Sequence, residues 1–144
     1  MCLGGASQVA ATLFHPLADP RLRGQVIWVG GFWITGRDVG YAGTRLLDPR
    51  VAHYWDARHA LTRAYRRTLK TDRDPWDVYL VYGPAARWTG PDPPAPDFWM
   101  QMLGVPQAPV FDPQEFAARV RGMLYNPLSR AGRPNSLGPP GSRP

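Results

Sequence analysis

The stretch that decides the fold is Gln25–Phe32, with the sequence Gln-Val-Ile-Trp-Val-Gly-Gly-Phe. A continuous apolar run of this length is typical of a strand that is covered on both faces. The spacing of apolar residues in Ala6–Phe14 predicts a helix before it, and Arg37–Leu47 predicts a weaker helix after it. The stretch therefore predicts a buried strand in a structure that alternates helices and strands.

The alternation continues further along the chain. Val51–Trp55 predicts a second strand, and Ala57–Leu69 predicts the clearest helix, with Asp56 at its N-cap. Val78–Tyr82 predicts a third strand, for which Arg87–Trp88 is a candidate hairpin partner. This order predicts the α/β class, with three layers and a mixed, partly parallel sheet.

The last third of the chain has a different composition. Thr89–Pro96 is rich in proline and predicts a surface loop, and Asp97–Leu103 predicts a short aromatic helix or turn. Asp112 followed by Pro113 predicts the start of a final helix. Residues 126–144 contain too few apolar side chains to order themselves, so we expect one domain over 1–125 and a disordered Pro/Gly/Arg-rich tail over 126–144.

Composition narrows the class of protein. A length of 144 residues with 44% hydrophobic content suits one compact domain. The net charge is +6, but the basic residues alternate with aspartates, so a nucleic-acid partner is not expected. The longest apolar run, Val26–Ile34, is too short to span a membrane. A single cysteine cannot form an internal disulfide, and this favours a reducing, cytoplasmic setting.

That cysteine, Cys2, is the best chemical lead. It directly precedes the first helical pattern, where unpaired backbone N–H groups and the helix dipole favour a reactive thiolate. The alternative is an inert small residue at a frayed terminus. The three histidines, His15, His53 and His59, are too dispersed for a metal site, and the paired glycines complete no phosphate-binding fingerprint. We therefore expect neither a metal nor another cofactor.

Several segments together resemble the thioredoxin-like superfamily, with a layout closest to its bacterial TlpA-like and peroxiredoxin-related members. The resemblance covers residues 2 to 124 and rests on the order and hydrophobic layout of the elements. The segments that carry it are Cys2-Leu-Gly-Gly-Ala, Val26-Ile-Trp-Val, Val51-Ala-His-Tyr-Trp-Asp with the helix that follows, and Trp76-Asp-Val-Tyr-Leu-Val-Tyr-Gly.

The resemblance implies a site and also a departure from the family. A Cys-x-x-Cys pair opens the first helix in that family, so Cys2 matches the second cysteine, and the first cysteine and its strand have no counterpart. The family's cis-proline falls near Pro75, which makes Pro75, Trp76 and Asp77 the expected substrate-binding residues. The alternative is that Asp77 is an ordinary turn residue without a functional role.

Two hypotheses account for the absent first strand. Either the protein is a degenerate scaffold that keeps the fold without dithiol chemistry, or the natural chain is longer. A central strand is costly to omit because its neighbours expose unpaired backbone groups, which favours a longer chain or pairing with another chain, including a homo-oligomer.

The sequence leaves two functions open. The first is a thiol-disulfide oxidoreductase relative in which Cys2 exchanges with a protein or small-molecule thiol. The second is a non-catalytic binding module, for which Phe98 and Trp99, next to Met100, are the expected partner-binding residues. The blander interpretation of these aromatic side chains is that they belong to the core.

Overall fold

The computed structural model describes residues 2–30 and 38–125. Helices and strands alternate along most of the chain, which confirms the α/β class. The helices are α1 (Leu3–Val9), which continues as a π-helical segment (Ala10–Phe14), α2 (Asp38–Gly43), which continues as a 3-10 turn (Thr44–Leu46), α3 (Ala60–Leu69) and α4 (Pro113–Tyr125). The strands are β1 (Gly24–Val29), β2 (Val51–Asp56), β3 (Val78–Val81) and β4 (Phe98–Gln101).

The four described strands form two separate two-stranded sheets. β1 and β2 run parallel, with Gly24 opposite Val51. β3 and β4 run antiparallel, with Val78 opposite Gln101. The sequence predicted one mixed sheet. The structure has two sheets instead, since no backbone hydrogen bonds join β1 to β3 in the described part of the chain.

The strand β4 corrects two predictions. Asp97–Leu103 was expected to form a helix or turn, but Phe98–Gln101 is a strand, and β4 rather than Arg87–Trp88 is the partner of β3. The proline-rich loop favours the pairing, because it is fixed to the rest of the fold in its second half and directly before β4. Thr68 Oγ1 donates to the Pro93 carbonyl at 2.9 Å, Tyr82 Oη donates to the Pro94 carbonyl at 3.0 Å, and Gly83 N donates to Asp97 Oδ2 at 2.5 Å.

One hydrophobic cluster connects both sheets. The π-helical segment, β1, β3, β4 and α4 all contribute to it, whereas α3 contributes none of its buried residues, Thr62, Ala64 and Leu69. The two sheets therefore share one core on the side of α1 and α4. The members from the helices are Ala6, Val9, Ala10, Leu13, Phe14, Ala42, Leu46, Phe116, Ala117 and Val120, and those from the strands are Val26, Trp28, Tyr79 and Met100.

Aspartates accept hydrogen bonds from the first turns of α3 and α4. Asp112 Oδ1 accepts from Glu115 N at 2.7 Å, as predicted for the start of α4. Asp56 accepts from the backbone N–H groups of Ala60 and Thr62 at 2.9 and 3.1 Å. However, α3 begins three residues later than predicted, because His59 occupies the N-cap position in a left-handed conformation with φ of 55°.

Arg50 holds the end of the first helix against the start of β2. Its guanidinium donates to the carbonyl of Phe14 at 2.7 Å and lies 5.2 Å from the centroid of the Phe14 ring. The same group forms an ion pair with Asp48 at 2.7 Å. Arg50 thus satisfies a helix C-terminal carbonyl that would otherwise lack a partner.

The predicted tail, residues 126–144, lies outside the described residues, as do Gly31 and Phe32 at the end of the first predicted strand. None of the helices in the described ranges is long and apolar enough to cross a membrane.

Candidate functional site

Cys2 is the N-cap residue of α1, as its position before the helical pattern predicts. Its backbone is extended, and its Sγ accepts a hydrogen bond from Gly5 N at 3.2 Å. Its own N–H donates to Oδ1 of Asp77 at 3.4 Å. The residue is half-buried, and its thiol is held at the first turn of the helix.

Asp77 lies at the base of this site. It is only 4% exposed, and it precedes β3 directly. Its Oδ1 accepts from Cys2 N and also from the hydroxyl of Tyr79, at 3.2 Å. The structure therefore brings together Cys2 and Asp77, two of the predicted site residues, and it makes Asp77 a buried acceptor that positions other groups.

Tyr79 is a site residue that the sequence did not single out, because it resembles any other apolar strand residue. Its side chain is 2% exposed and stacks on Phe111 with ring centroids 3.7 Å apart. Burial first, and then the neighbouring Asp77 and Cys2, raise the pKa of Tyr79 far above its usual value. The phenol therefore stays protonated at neutral pH and acts as a donor to Asp77.

Gly5 makes this arrangement possible. A Cβ atom at Gly5 would lie 1.8 Å from Tyr79 Oη, so no other residue fits without a shift of the helix or the ring. Gly4, by contrast, has nothing within 4 Å of such an atom. The close approach of α1 to β3 thus depends on one glycine, which the sequence did not distinguish from its neighbour.

The two other residues of the predicted substrate-binding set differ in exposure. Pro75 is buried, and Trp76 is 55% exposed. No peptide bond among the described residues is cis, so the expected cis-proline at Pro75 is corrected to a trans residue. The reason is local, because Trp76 and Asp77 separate Pro75 from β3. A contact of any of these residues with a substrate remains a prediction.

Three exposed apolar side chains neighbour the residues of this site, two in the chain and one through Tyr79. Leu3 follows Cys2 in the chain and is 40% exposed, and Trp76 precedes Asp77. Met102 is 50% exposed, and its Sδ lies 3.7 Å from Tyr79 Oη. We call Leu3, Trp76 and Met102 the apolar rim of the site. Met102 was missed by the sequence analysis because nothing in its neighbourhood in the chain connects it with Cys2.

The predicted partner-binding residues lie at the other end of β3. Phe98 pairs with Val81, and Trp99 pairs with Leu80. Phe98 is half-buried and packs edge-on against Phe116, with centroids 5.7 Å apart, whereas Trp99 is half-buried in β4. Met100, with 1% exposure, belongs to the core. A binding role for Phe98 and Trp99 remains a prediction.

Both ring nitrogens of His53 contact polar groups of the protein. His53 Nδ1 accepts from the indole N–H of Trp28 at 3.1 Å, and its Nε2 lies 3.1 Å from the carbonyl of Leu46. Within residues 2–30 and 38–125, no group of three His, Cys, Asp or Glu side chains could hold a metal ion.

Comparisons with known proteins return no relative: no family model, no curated protein and no solved structure matches this chain.

Proposed function

We propose that this protein is a thioredoxin-like thiol protein in which Cys2 exchanges with a disulfide of a partner. The observation that carries the proposal is the position of Cys2, with its Sγ accepting from Gly5 N at 3.2 Å and its N–H bound to Asp77. The Gly5 N–H is a backbone donor directed at the sulfur, and the thiolate form of a cysteine is the nucleophile in disulfide exchange. Because the chain has a single cysteine, the proposal includes a cytoplasmic location.

The reaction is a disulfide exchange in two steps. The Cys2 thiol loses its proton to solvent and attacks one sulfur of a partner disulfide R–S–S–R′, so that a mixed disulfide of Cys2 with R forms and R′–S⁻ leaves and takes up a proton. A second thiol, from a small molecule or another protein, then attacks the mixed disulfide and forms a new disulfide with R. Cys2 returns as a thiol, and no net oxidation occurs.

The neighbouring residues have positioning roles in this reaction. Asp77 and Tyr79 hold the first turn of α1 in place from below, because they bind the N–H of Cys2 and each other. The apolar rim would contact the partner around the disulfide. Pro75 and Trp76 precede Asp77 on the same segment, which supports the expected location of substrate contacts.

The order of elements supports the thioredoxin-like fold. A parallel pair, β1 and β2, precedes α3, and an antiparallel pair, β3 and β4, precedes α4. The buried residues of α3 lie apart from the cluster that α1 and α4 share, as expected when helices cover both faces of a sheet in three layers.

Reaction with an aromatic disulfide, dithiobis(nitrobenzoate), tests the proposal. Because the chain has one cysteine, each thiolate released reports on Cys2 alone. We expect the folded chain to react faster than the same chain in urea, and the Cys2→Ser variant not to react. A folded chain that reacts no faster than the unfolded one would contradict the proposal, because the fold would then give the thiol no advantage.

A second function is favoured by the exposure of the apolar rim together with the single cysteine. Trp76 and Met102 are each at least half exposed, and under this second proposal a partner covers both side chains. In this case the protein is a non-catalytic binding module, and partner binding is unchanged in Cys2→Ser. Loss of binding in Trp76→Ala would place the contact at the rim, and loss in Trp99→Ala would place it at β4.

A further inference from the structure

His53 connects three parts of the fold through its two ring nitrogens. In the register of β1 and β2, Trp28 pairs with Trp55, so His53 lies diagonally next to Trp28 on the same face. The indole N–H of Trp28 donates to His53 Nδ1 at 3.1 Å. His53 Nε2 lies 3.1 Å from the carbonyl of Leu46, in the 3-10 turn that follows α2. We call this connection of β1, β2 and the turn the His53 junction.

The two partners of the ring determine its protonation. An indole nitrogen can only donate a hydrogen bond, so the imidazole nitrogen that it contacts must offer a lone pair. A backbone carbonyl can only accept, so the other imidazole nitrogen must carry a proton. Both hydrogen bonds therefore exist only while the ring of His53 is neutral, with its proton on Nε2.

A second proton on the ring would break one of these two bonds. The proton would bind Nδ1, which then becomes a donor that faces the donating N–H of Trp28, so the ring and the indole must separate. Trp28 is 5% exposed and belongs to the core, so its N–H loses its acceptor in a place that offers little contact with water. The bond to Leu46 can persist, because Nε2 keeps its proton. The junction would thus open on the side of β1.

In the described part of the chain, no acidic side chain offsets this loss. The strand β1 has no charged residue, and α2 approaches the ring with its C-terminal end, whereas its Asp38 lies at the opposite end. Arg45, in the turn, donates to Tyr41 Oη at 2.6 Å, and Asp56, in β2, accepts from the first turn of α3. Every Asp and Glu of the chain lies within residues 2–30 and 38–125, and none forms an ion pair with His53 there.

We propose that the His53 junction is a pH-sensitive link in the fold, which is closed while the ring is neutral and opens at Trp28 when the ring takes up a second proton. Histidine is the side chain whose charge ordinarily changes between about pH 5 and pH 8, so this is the range in which the link responds. The inference concerns the conformation of the β1–β2 sheet and is independent of the thiol chemistry of Cys2.

The test follows the ring and the indole together, by NMR of the isotope-labelled full chain from about pH 8 to about pH 5. The nitrogen chemical shifts of His53 report which ring nitrogen carries a proton, and exchange of the Trp28 indole N–H with water reports whether its bond persists. At the upper pH we expect a proton on Nε2 alone and a protected indole. On acidification, protection of the indole, relative to free indole at the same pH, should fall by about tenfold or more, together with the second protonation of His53.

Three variants separate the junction from other effects of pH. His53→Gln offers one acceptor and one donor but does not titrate, so the Trp28 indole should stay protected throughout. His15→Gln removes an exposed histidine instead and should respond as the original chain does. Trp28→Phe has no N–H to lose, so acidification should lower its urea midpoint by less than it lowers that of the original chain.

The measurements on the original chain decide the question even if His53→Gln fails to fold. A Trp28 indole that stays protected after His53 has taken up its second proton would overturn the proposal. A proton on Nδ1 at the upper pH would overturn it as well. So would a ring that remains neutral until the whole chain unfolds, because the junction would then have no open form in the folded protein.

Discussion

The backbone N–H of Cys2 donates to Oδ1 of Asp77 at 3.4 Å, across 75 residues of sequence. The same carboxylate oxygen accepts from Tyr79 Oη at 3.2 Å. One buried atom thus connects the start of α1 with the start of β3 and with the aromatic part of the core. Together with the N–H of Gly5, this carboxylate holds Cys2 at the first turn of α1.

Replacement of Asp77 tests this connection. Asp77→Ala leaves the buried Tyr79 hydroxyl without its acceptor and releases the N–H of Cys2, so we expect a loss of about 1–3 kcal/mol in the free energy of unfolding. Urea denaturation measures it. Asp77→Asn keeps an acceptor oxygen of nearly the same shape and should lose clearly less. Equal losses in both variants would show that the charge, and not the acceptor, matters.

The ion pair of Asp48 with Arg50 predicts how stability depends on pH. Hydrogen bonds from Arg50 lower the pKa of Asp48 from 3.8 to about 2. A lowered pKa in the folded state means that the carboxylate stabilises the fold fully above pH 4, and that this contribution disappears as the pH falls from about 4 to about 2. Thermal unfolding as a function of pH measures it.

The control for this prediction is Asp48→Asn, which should be less stable at neutral pH and should lose less stability on acidification. Asp19, whose pKa is lowered to about 2 by Arg21, titrates in the same range and remains in the variant. Asp48→Asn therefore reduces the dependence of stability on pH without removing it. If the stability of the variant depended on pH as strongly as that of the original chain, a stabilising role for the ion pair would be contradicted.

Gln101 organises the loop that follows β4. The residue is 1% exposed, and its Oε1 accepts from Leu103 N and Gly104 N at 2.5 and 2.8 Å. Its Nε2 donates to the carbonyls of Val105 and Ala108 at 3.2 and 3.1 Å. Since Gln101→Met keeps the volume but removes these side-chain hydrogen bonds, we expect a loss of about 2–4 kcal/mol. Faster hydrogen exchange at the Leu103 and Gly104 amides should accompany it.

A Gln101→Met variant that loses stability while these amides exchange at their original rate would contradict the assigned role, because the loss would then arise elsewhere in the core. Gln107→Met is a suitable comparison. Its Nε2 makes a single bond, to the carbonyl of Lys70 at 3.0 Å, in an exposed position. It should change stability by less than about 0.5 kcal/mol.

Local patterns in the sequence predicted the elements that depend on local chemistry. The apolar run after Gly24, the helix stripe up to Leu69 and the Asp112-Pro113 cap all appear where periodicity and capping place them. The strand at Phe98–Gln101 could not be predicted in this way, because a four-residue aromatic segment has no helical or strand period of its own. Its conformation is decided by pairing with β3.

The candidate site shows the same difference between features that local patterns predict and features that depend on long-range contacts. The sequence singled out Cys2 and Asp77 separately, since a thiol before a helix and an acid before a strand are visible in the chain. The family resemblance placed both in one expected site, but no local pattern indicated their direct contact, because the contact depends on the close approach of α1 to β3. Tyr79 and Met102 were missed for the same reason. Only Gly5 could have indicated that α1 and β3 approach closely, and the sequence does not distinguish Gly5 from the adjacent Gly4.

The contact between Gly5 and Tyr79 gives the sharpest prediction. A Cβ atom at Gly5 would lie 1.8 Å from Tyr79 Oη and 2.9 Å from Cζ, so Gly5→Ala must displace α1 or the ring. We expect a loss of about 1–3 kcal/mol in the free energy of unfolding. Gly4→Ala is the matched control: its site is open, and alanine favours helix, so it should be neutral or gain up to about 1 kcal/mol.

Tyr79→Phe removes the oxygen that causes the nearest contact but leaves the ring carbon at 2.9 Å. The loss caused by Gly5→Ala should therefore be smaller in a Tyr79→Phe background than in the original chain, without disappearing. Urea denaturation of the four chains in this double-mutant cycle measures the difference. Additive losses would contradict the contact, because substitutions at residues that do not touch should not alter each other's effect on stability. The reaction rate of Cys2 with dithiobis(nitrobenzoate) should change with Gly5→Ala and not with Gly4→Ala, since only the former moves the turn that holds the thiol.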